Sequence, residues 1–375
     1  MGKIFTALGL MSGTSGDGVD ASLITSDGID QYNEIINRYF KYDQKIYENI
    51  HNLRAKILKF EDLQKNTNEI NSLEKEITLF HAKVVNEILE SIDKKVDFIG
   101  FHGQTIYHNS LEEVSKQIGD GNLLSQLTKK TVVHDFRQND IKNGGEGAPL
   151  APVFHRLIVK QKKINLPVCI LNIGGIANVT AIDEYDKNSF LSRDLGPGNC
   201  LIDEWIRQNT KNKYDNNGEI AKKGKTNNLI LNQALDNFDN RLNQNALSFD
   251  TKDFSLGFVR GLNLEDGAAT LTDFTARIIE EGLLSFLSKT REKLWKILVC
   301  GGGRKNITLI ERIKSRTLKN LVIKPIDDYD VDGDYVESQA FAYIAIRSYL
   351  GLPISFPNTT GCKKPTTGGK IVNNF

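Results

Sequence analysis

The chain has 375 residues, which is long for one compact core and predicts two domains. Its formal net charge is +1, so nothing electrostatic indicates a nucleic acid or an anionic membrane as partner, and a small solute is the expected ligand. No apolar stretch is long enough to span a bilayer, the N-terminus lacks the pattern of a signal peptide, and the four cysteines are widely spaced, so we expect a cytoplasmic protein without a zinc site.

Apolar periodicity divides the first part of the chain into alternating strands and helices. In chain order it predicts a hairpin over 3–27 with Asp17-Gly18 in its turn, helices over 46–57 and 70–92, a strand at 96–103, a short helix at 123–127 and a strand at 131–136. This alternation is typical of an α/β protein.

The second part of the chain repeats the same kind of pattern. It predicts a helix within 144–160, strands at 168–173 and 179–183 around "GGIAN", a strand at 294–299 before "CGGG", a helix at 307–313, a strand at 321–326, an acidic loop at 327–334 and a helix at 336–350. The Pro- and Gly-rich tail is expected to lie back across the first domain. An apolar strand, a glycine-rich tip and a second apolar strand recur about 160 residues apart, which predicts a duplicated fold.

The first glycine-rich tip, within "GLMSGTSGDGVDASLI" at 9–24, has the composition of an anion-binding turn. Glycines let several backbone N–H groups converge on one anion, and Thr14 and Ser15 add hydroxyl donors. Asp17 is a candidate ligand for Mg²⁺ beside phosphate oxygens. The alternative is an ordinary hairpin turn, and the stretch does not match a Walker loop.

A second tip, "NIGGIAN" at 172–178, offers the same parts: a strand, paired glycines and the amide side chains of Asn172 and Asn178. Two such turns are suited to hold the phosphates of one nucleotide. The three glycines of "CGGG", Gly301 to Gly303, follow another strand and would let a flat ring lie against the backbone. Each of these segments alone is also compatible with a plain loop.

Candidate catalytic and substrate-binding side chains follow the ends of predicted strands, where ligands bind in α/β sheets. Asp194 precedes Gly-Pro-Gly on a loop that we expect to be stiff, and it is the candidate general base; a capping or turn role is the alternative, and Asp203 is a rival inside a helix. Arg137 has a guanidinium suited to a substrate carboxylate. His102, Gln104 and Glu337 are further candidates for contacts with the substrate.

Eight of these motifs occur together and in a fixed order. They are "GLMSGTSGDGVD", "FHGQT", "DFRQNDI", "GGEGAPLAP", "NIGGIANVT", "DLGPGN", "GGGRKN" and "ESQAFAYIA". From about residue 7 to "PTTGG" near the C-terminus, the chain resembles the anhydro-N-acetylmuramic acid kinase family.

The resemblance implies a two-lobed, actin-like sugar-kinase fold of duplicated mixed-sheet domains, with ATP and Mg²⁺ in a central cleft. The expected lobes are 1–135 with 352–375, and 136–351. The implied substrate is 1,6-anhydro-N-acetylmuramic acid from peptidoglycan recycling. Water would open its 1,6-anhydro ring while O6 takes the γ-phosphoryl group, giving N-acetylmuramate 6-phosphate and ADP. A homodimer is also implied.

Carried over by motif, the resemblance assigns roles to individual residues. The residues that would bind the phosphates from the first lobe are Gly13, Thr14, Ser15, Gly16, Asp17, Gly18, Val19 and Asp20, with Asp17 serving the magnesium. Those of the second lobe would be Asn172, Gly174, Gly175 and Asn178, and the adenosine would border Gly301, Gly302 and Gly303. Asp194 would be the base, and the residues lining the sugar would be His102, Gln104, Thr105, Arg137, Gly147, Ala148 and Glu337.

One position departs from the family pattern, and two other functions stay open. Gly16 stands where relatives usually carry a large apolar residue, so we expect a more pliable turn and weaker ATP binding. A sugar kinase that phosphorylates a free hydroxyl would use Asp194 on that hydroxyl instead of on water. An actin-fold ATPase that acts as a switch or filament subunit would need no small substrate.

Overall fold

The computed structural model describes residues 2–184, 190–242, 248–288, 293–316 and 320–375. The strands are β1 (Phe5–Ser12), β2 (Gly18–Ser26), β3 (Tyr32–Lys41), β4 (Phe98–Asn109), β5 (Val114–Ile118), β6 (Thr131–His134), β7 (Val168–Ile173), β8 (Ile176–Ile182), β9 (Phe190–Pro197), β10 (Trp295–Cys300), β11 (Leu321–Pro325) and β12 (Lys370–Val372). The helices are α1 (Gln44–Lys56), α2 (Phe60–Lys65), α3 (Thr67–Glu90), α4 (Gly121–Thr128), α5 (Gln138–Lys142), α6 (Pro152–Gln161), α7 (Cys200–Asn209), α8 (Glu219–Lys223), α9 (Asn228–Leu242), α10 (Leu264–Phe286), α11 (Ile307–Arg316), α12 (Val336–Tyr349) and α13 (Pro357–Thr360).

These elements form two units, Met1–Ile164 with Tyr335–Phe375 and Asn165–Asp334. The sequence predicted boundaries after residues 135 and 351 instead. The difference at the C-terminal boundary has a physical cause, because α12 packs on β1, β2 and β4 of the first unit. The tail after α12 stays in the same unit, where β12 pairs antiparallel with β6, as the composition of the tail predicted.

The two units contain sheets with the same strand order and orientation. In the first unit the order is β6-β4-β1-β2-β3, extended by β12 at one edge and by β5 on β4. In the second it is β11-β10-β7-β8-β9. In each, the first strand of the unit is antiparallel to the second and parallel to the fourth. The predicted α/β fold of duplicated mixed sheets is therefore confirmed.

This shared order follows from the lengths of the connections. A tight turn joins β1 to its antiparallel neighbour β2, and another joins β7 to β8, whereas parallel neighbours need a crossover, which the helices between β3 and β4 and between β9 and β10 supply. Four strands, β3, β5, β9 and β12, were not predicted. In β3 only Tyr32 is buried, so this edge strand lacks the clean apolar alternation that marks a half-buried strand.

Helices cover the sheets through apolar faces, which the periodicity predicted for α1 and α3 but not for α10. The buried sides of α1 and α3 carry Ile50, Leu53 and Ile77, which join β1, β2 and β4 in one core. In the second unit, α10 packs Ala276, Ile279 and Leu283 against its sheet. Across the described residues, no helix is both long enough and apolar enough to cross a membrane.

The closest approach between helix and sheet is made by α12 at two glycines. A Cβ added to Gly9 would lie 1.9 Å from the carbonyl oxygen of Ser338, and one added to Gly100 would lie 2.3 Å from that of Phe341. Because both obstacles are backbone atoms, no side-chain rotation relieves them. The missing side chains of Gly9 and Gly100 therefore set the distance between α12 and the sheet.

We expect Gly100→Ala to destabilise the first unit, because the new methyl group must displace the backbone of α12. Overpacking of this kind lowers the free energy of unfolding by about 1 to 3 kcal/mol. Urea denaturation followed by far-UV circular dichroism measures the change. Gly302→Ala is the matched control, since a Cβ there has nothing within 4 Å. Equal denaturation midpoints for the two variants would contradict the explanation.

Candidate active site

The turn between β1 and β2 has its carbonyl oxygens fixed by α1. Arg54 donates from Nη1 to the carbonyl oxygen of Thr14 at 2.6 Å, and Nε2 of His51 lies 3.0 Å from that of Ser15. With these carbonyls directed at α1, the amides of Thr14 and Ser15 donate to no acceptor in the described parts of the chain. They are therefore available to an anion, which is the arrangement that the glycine-rich composition predicted.

Asp17 ends this turn with both carboxylate oxygens engaged. The hydroxyl of Ser15 donates to Oδ1, and that of Tyr39 donates to Oδ2 at 2.9 Å. Burial, and then the charge of Asp17, raises the pKa of Tyr39, so its hydroxyl keeps the proton that it donates. The ring of Tyr39 also covers Gly18, where a Cβ would lie 2.6 Å from it.

Three other residues of this hairpin that were predicted to bind phosphate, Gly16, Val19 and Asp20, lie in the backbone of the turn, in the core and within β2. Gly16 adopts a φ of +61° and a Cβ there would lie 3.0 Å from Ile50, so glycine suits the backbone conformation of the turn. Val19 is fully buried in the core, and Asp20 lies within β2 opposite Met11. The turn itself ends at Asp17.

Gln104 and Thr105 make contacts within the chain rather than lining an open surface. The amide of Gln104 donates from Nε2 to the carbonyl oxygen of Gly13 at 3.0 Å, and its Oε1 lies 2.6 Å from the hydroxyl of Ser12. Thr105 accepts a hydrogen bond from Gln117 at 3.2 Å. The structure thus places Gln104 behind the first turn, where it supports the turn's backbone.

The turn between β7 and β8 is held in the corresponding way. The carbonyl oxygens of Gly174 and Gly175 accept hydrogen bonds from the amides of Asn199 at 2.8 Å and Gly198 at 2.9 Å. A Cβ on Gly198 would lie 2.3 Å from the carbonyl oxygen of Gly174, so only glycine allows this approach. The "DLGPGN" loop therefore fixes the second turn, as α1 fixes the first.

Asn172 connects the second turn to the glycines after β10. Its Oδ1 accepts from the thiol of Cys300 at 3.8 Å, and a Cβ on Gly301 would lie 2.3 Å from that same oxygen. The opposite amide atom, Nδ2, faces Gly174. Two segments that the sequence assigned separately to phosphate and adenosine are therefore adjacent in the second unit.

Asn172, Asn178 and Asp194 lie side by side across three strands. Asn172 of β7 is opposite Asn178 of β8, which in turn is opposite Asp194 of β9. Directly paired residues point to the same face of a sheet, so the two amides and the carboxylate share one face beside the second turn. The sequence named all three residues but gave no signal for this alignment.

Asp194 lies in strand β9 rather than on the stiff loop that the sequence predicted. The strand continues to Pro197 because residues up to that point pair with β8, with a register shift between Asp194 and Gly196. Gly196 has a φ of +147°. The carboxylate is mostly buried, and its Oδ2 accepts a hydrogen bond from the amide of Phe249 at 2.8 Å. The backbone of another segment thus fixes the position of this carboxylate.

Arg137 lies between a histidine and a backbone carbonyl. It donates from Nε and Nη2 to Nε2 of His102, at 3.2 and 3.0 Å, and from Nη1 to the carbonyl oxygen of Gly147 at 3.3 Å. Because Nε2 of His102 accepts, the ring proton is on Nδ1, which donates to the carbonyl oxygen of Gly103 at 2.9 Å. Burial, and then the charge of Arg137, lowers the pKa of His102 to about 3.

The loop that carries Gly147 and Ala148 is organised by a buried carboxylate. Asp140 accepts hydrogen bonds from the amide of Gly147 at 2.7 Å and from the hydroxyl of Thr360 at 2.7 Å. The half-buried Ala148 follows, with a cis peptide bond to Pro149. The sequence did not assign Asp140 any role.

Glu337 lies in the first turn of α12, a helix that also reaches His102. Phe341, one turn further along α12, packs its ring against the imidazole of His102 with centroids 4.5 Å apart. The first unit therefore brings together three of the predicted substrate residues, Arg137, His102 and Gly147, and packs α12, the helix that carries Glu337, against the imidazole. Residues that sequence reasoning missed, Arg54, His51 and Tyr39, act through backbone or side-chain contacts to the first turn, and their spacing carries no recognisable motif.

Comparison with known proteins identifies the family. Residues 5–374 match the family model of anhydro-N-acetylmuramic acid kinase. The chain belongs to this family. It is 58% identical over 375 residues to the anhydro-N-acetylmuramic acid kinase of Pelagibacter ubique strain HTCC1062, with 100% of each chain covered, and 39% identical to that of Zymomonas mobilis, with 97% and 99% covered. The family predicted from eight motifs is confirmed.

Solved structures resemble the chain less closely. The activator of the 2-hydroxyisocaproyl-CoA dehydratase from Clostridium difficile with bound ADPNP has 10% identity and a TM-score of 0.45, covering 92% of this chain and 96% of its own. Hexokinase from Schistosoma mansoni complexed with glucose has 11% identity and a TM-score of 0.43, covering 91% and 85%. At scores this low the likeness supports no further conclusion.

The kinase family implies Mg²⁺ together with ATP, and the first turn fits that pair. Across the ranges that the structure describes, no three His, Cys, Asp or Glu side chains form a cluster that would hold a metal by themselves. Mg²⁺ bound with a nucleotide needs only one or two carboxylates, since phosphate oxygens and water supply the remaining ligands. Asp17, beside the unpaired amides of Thr14 and Ser15, is a carboxylate of that kind.

The histidine beside Arg137 makes stability depend on pH. A histidine has a pKa near 6.5 when unfolded, whereas that of His102 is about 3 in the folded chain. Between these values the unfolded state binds a proton that the folded state excludes, so stability is complete above about pH 6.5 and falls as the pH is lowered.

We expect His102→Asn to reduce this pH dependence by up to about 1.4 kcal/mol per pH unit between pH 3 and 6.5. Urea denaturation at several pH values measures the slope. His81→Asn is the comparison: burial lowers the pKa of His81 to about 4, so removing it should flatten the slope similarly above pH 4. An unchanged slope in His102→Asn would show that the imidazole is not held neutral.

Proposed function

We propose that this chain uses ATP to phosphorylate O6 of 1,6-anhydro-N-acetylmuramic acid while water opens the 1,6-anhydro ring. The products would be N-acetylmuramate 6-phosphate and ADP, in the recycling of peptidoglycan. Membership of the kinase family supports the reaction class. The observation that carries the assignment of residues is the row of Asn172, Asn178 and Asp194 beside the second turn.

The two turns are proposed to bind phosphate oxygens through backbone amides. Phosphoryl transfer asks a protein mainly for positioning and for stabilisation of charge, and amides with fixed direction supply both. In the first turn this direction comes from Arg54 and His51, and in the second from Gly198 and Asn199. Mg²⁺, held by Asp17, would neutralise charge on the phosphates.

Asp194 is proposed as the general base for the water that attacks C1. A carboxylate accepts up to about four hydrogen bonds, so the bond from Phe249 fixes its orientation without preventing it from taking a proton. The proton of the water passes to Asp194, the bond from C1 to O6 breaks, and O6 receives the γ-phosphoryl group. ADP is the leaving group of this phosphoryl transfer.

Arg137 is proposed to bind the lactyl carboxylate of the sugar. Its guanidinium donates to Nε2 of His102 and to the carbonyl oxygen of Gly147, which fixes the orientation of its planar fork. A guanidinium held in this way suits a carboxylate, which it can bind through two parallel hydrogen bonds. His102, Gly147, Ala148 and Glu337 would form the surroundings of the sugar, with Gln104 and Thr105 supporting them from behind.

The reaction is tested by mass spectrometry of the product made in ¹⁸O-water and quenched quickly. One solvent oxygen at C1 is expected, because the attacking water supplies that hydroxyl. Finished product incubated in ¹⁸O-water for the same time corrects for exchange at the anomeric carbon. Phosphorylation of N-acetylmuramate but not of the anhydro-sugar would instead indicate a kinase for a free hydroxyl, and ADP release unaffected by either sugar would indicate an ATPase without a small substrate.

We expect Asp194→Asn to lower kcat by about 10² to 10⁴, the usual contribution of a general base, while binding of ADP stays unchanged. The amide oxygen of asparagine still accepts the hydrogen bond from Phe249, so the variant keeps the local geometry. Asp203→Asn, which changes the rival carboxylate in α7, is the matched control and should retain the rate. Comparable losses in the two variants would contradict the assignment.

We expect Asp17→Asn to raise the Mg²⁺ concentration needed for half-maximal rate by about tenfold, because one metal ligand loses its charge. Rates measured against Mg²⁺ at fixed ATP report the change. Asp30→Asn, which removes an exposed carboxylate paired with Lys160 in the same unit, should leave the Mg²⁺ dependence as it is. An unaltered dependence in Asp17→Asn would exclude this carboxylate as a ligand.

The same family resemblance supports a homodimer and a cytoplasmic location as further proposals. Light scattering of the purified chain distinguishes a monomer from a dimer. Fractionation of cells that express the tagged full chain tests the location.

A further inference from the structure

Arg304 lies directly after the glycines of the "CGGG" segment and is the centre of an ion-pair cluster. Its side chain is only 8% exposed although it carries a full charge. It donates from Nε and Nη2 to the two oxygens of Asp327, at 2.9 and 3.1 Å, and from Nη1 to Asp334 at 2.5 Å. A third carboxylate, Asp332, lies 3.5 Å from Nη2.

The cluster is attached to the glycine segment by two backbone contacts. Nη1 of Arg304 also donates to the carbonyl oxygen of Gly301 at 3.2 Å, and the amide of Gly301 donates to the carbonyl oxygen of Gly333 at 2.8 Å. A Cβ on Gly333 would lie 2.5 Å from Nε of Arg304, so the acidic loop approaches the guanidinium as closely as glycine permits. The two segments are held face to face.

The opposite side of the glycine segment is fixed as well, but one surface is open. Cβ atoms on Gly301 and Gly303 would both lie 2.3 Å from the end of β7, at Asn172 and Ile173. Gly302, between them, has nothing within 4 Å of an added Cβ and is exposed. The segment is therefore clamped between β7 and Arg304, with Gly302 as its accessible surface.

The contact between the acidic loop 327–334 and the glycine segment depends on the charge and the shape of an arginine side chain. The loop 327–334 has five carboxylates in its sequence, and their mutual repulsion would drive it away from the glycines without cations beside them; besides Arg304, Lys305 pairs with Asp334. Although burial raises the pKa of Asp327 and Asp334, hydrogen bonds from Arg304, joined at Asp334 by one from Lys305, outweigh it, and both pKa values are lowered overall. The planar guanidinium holds Asp327 bidentately and Gly301 at the same time, which an ammonium group cannot do.

We propose that Arg304 is a positioning residue for nucleotide binding: it holds the acidic loop 327–334 against Gly301 and so fixes the surface at Gly302 on which the adenosine lies. The inference rests on the proposed function, because that function places the adenosine at these glycines. Arg304 itself does not contact the nucleotide. Its role is to maintain the shape of the segment that does.

The test measures ADP binding by calorimetry and the two KM values for the full chain. Loss of a charge-assisted contact network predicts that Arg304→Ala weakens ADP binding and raises KM for ATP by roughly tenfold or more, with KM for the sugar unchanged. Arg304→Lys keeps the charge but not the bidentate geometry, so an intermediate loss is expected. If Arg304→Ala does not fold, Arg304→Lys still tests the inference.

Arg312→Ala is the matched control for a purely structural effect. Arg312 is a half-buried arginine of the same unit that pairs with Asp273 and donates to the carbonyl oxygen of Ala269. Its removal should lower stability without changing ADP binding. ADP binding by Arg304→Ala or Arg304→Lys within twofold of the unmodified chain would overturn the inference alone, whereas an unmodified chain that binds no ADP would overturn the proposed function together with it.

Discussion

The direction of backbone carbonyls at the tips of two hairpins is the constraint on which the proposed chemistry depends. A tight glycine-rich turn presents both N–H and C=O groups, and an anion is attracted only if the carbonyls point elsewhere. In the first turn the side chains of Arg54 and His51 take them, and in the second the amides of Gly198 and Asn199 do so. Two different sets of contacts thus fix the carbonyl groups of the two turns.

The sheets repeat, but the contacts that hold their turns do not. The helix after the third strand serves the turn in both units: α1 through its side chains, and α7 through the loop at its start. Duplication therefore preserved the position of the helix relative to the turn, while the chemistry of the contact changed. In the second unit the same loop follows β9, so only a few residues of backbone separate Asp194 from the contacts that hold the turn.

Two arginines of the molecule have different surroundings. Arg304 lies among Asp327, Asp332 and Asp334, and its contacts hold an acidic loop in place. Arg137 donates to the imidazole of His102, which stays neutral because burial and the nearby guanidinium both disfavour its protonation. In each case the same guanidinium also donates to a backbone carbonyl, that of Gly301 or that of Gly147.

Much of the fold was predictable from the sequence, and less of the site. Apolar periodicity located α1, α3 and the buried strands, because burial on one face imposes the repeat. It missed β3, where only Tyr32 is buried, and β9, whose buried positions include Ser192, Asp194 and Gly196 rather than an apolar alternation. Motifs named Asp194, Arg137 and Asn172, but the pairing register that aligns Asn172 with Asp194 depends on the turns and on a bulge. Arg54 donates to a backbone carbonyl and Phe249 donates from its backbone amide, and contacts through backbone atoms leave no pattern in the sequence.

The packing of α12 on Gly9 and Gly100 has a consequence for folding during translation. The first unit is interrupted, since its final helix and β12 are encoded after the whole of the second unit. During translation β1 and β4 leave the ribosome early. One apolar face of these strands stays uncovered until α12, near the end of the polypeptide, has been translated. The second unit, which is continuous, is complete before that. Nascent chains stalled shortly before residue 336 should therefore be the ones that chaperones retain.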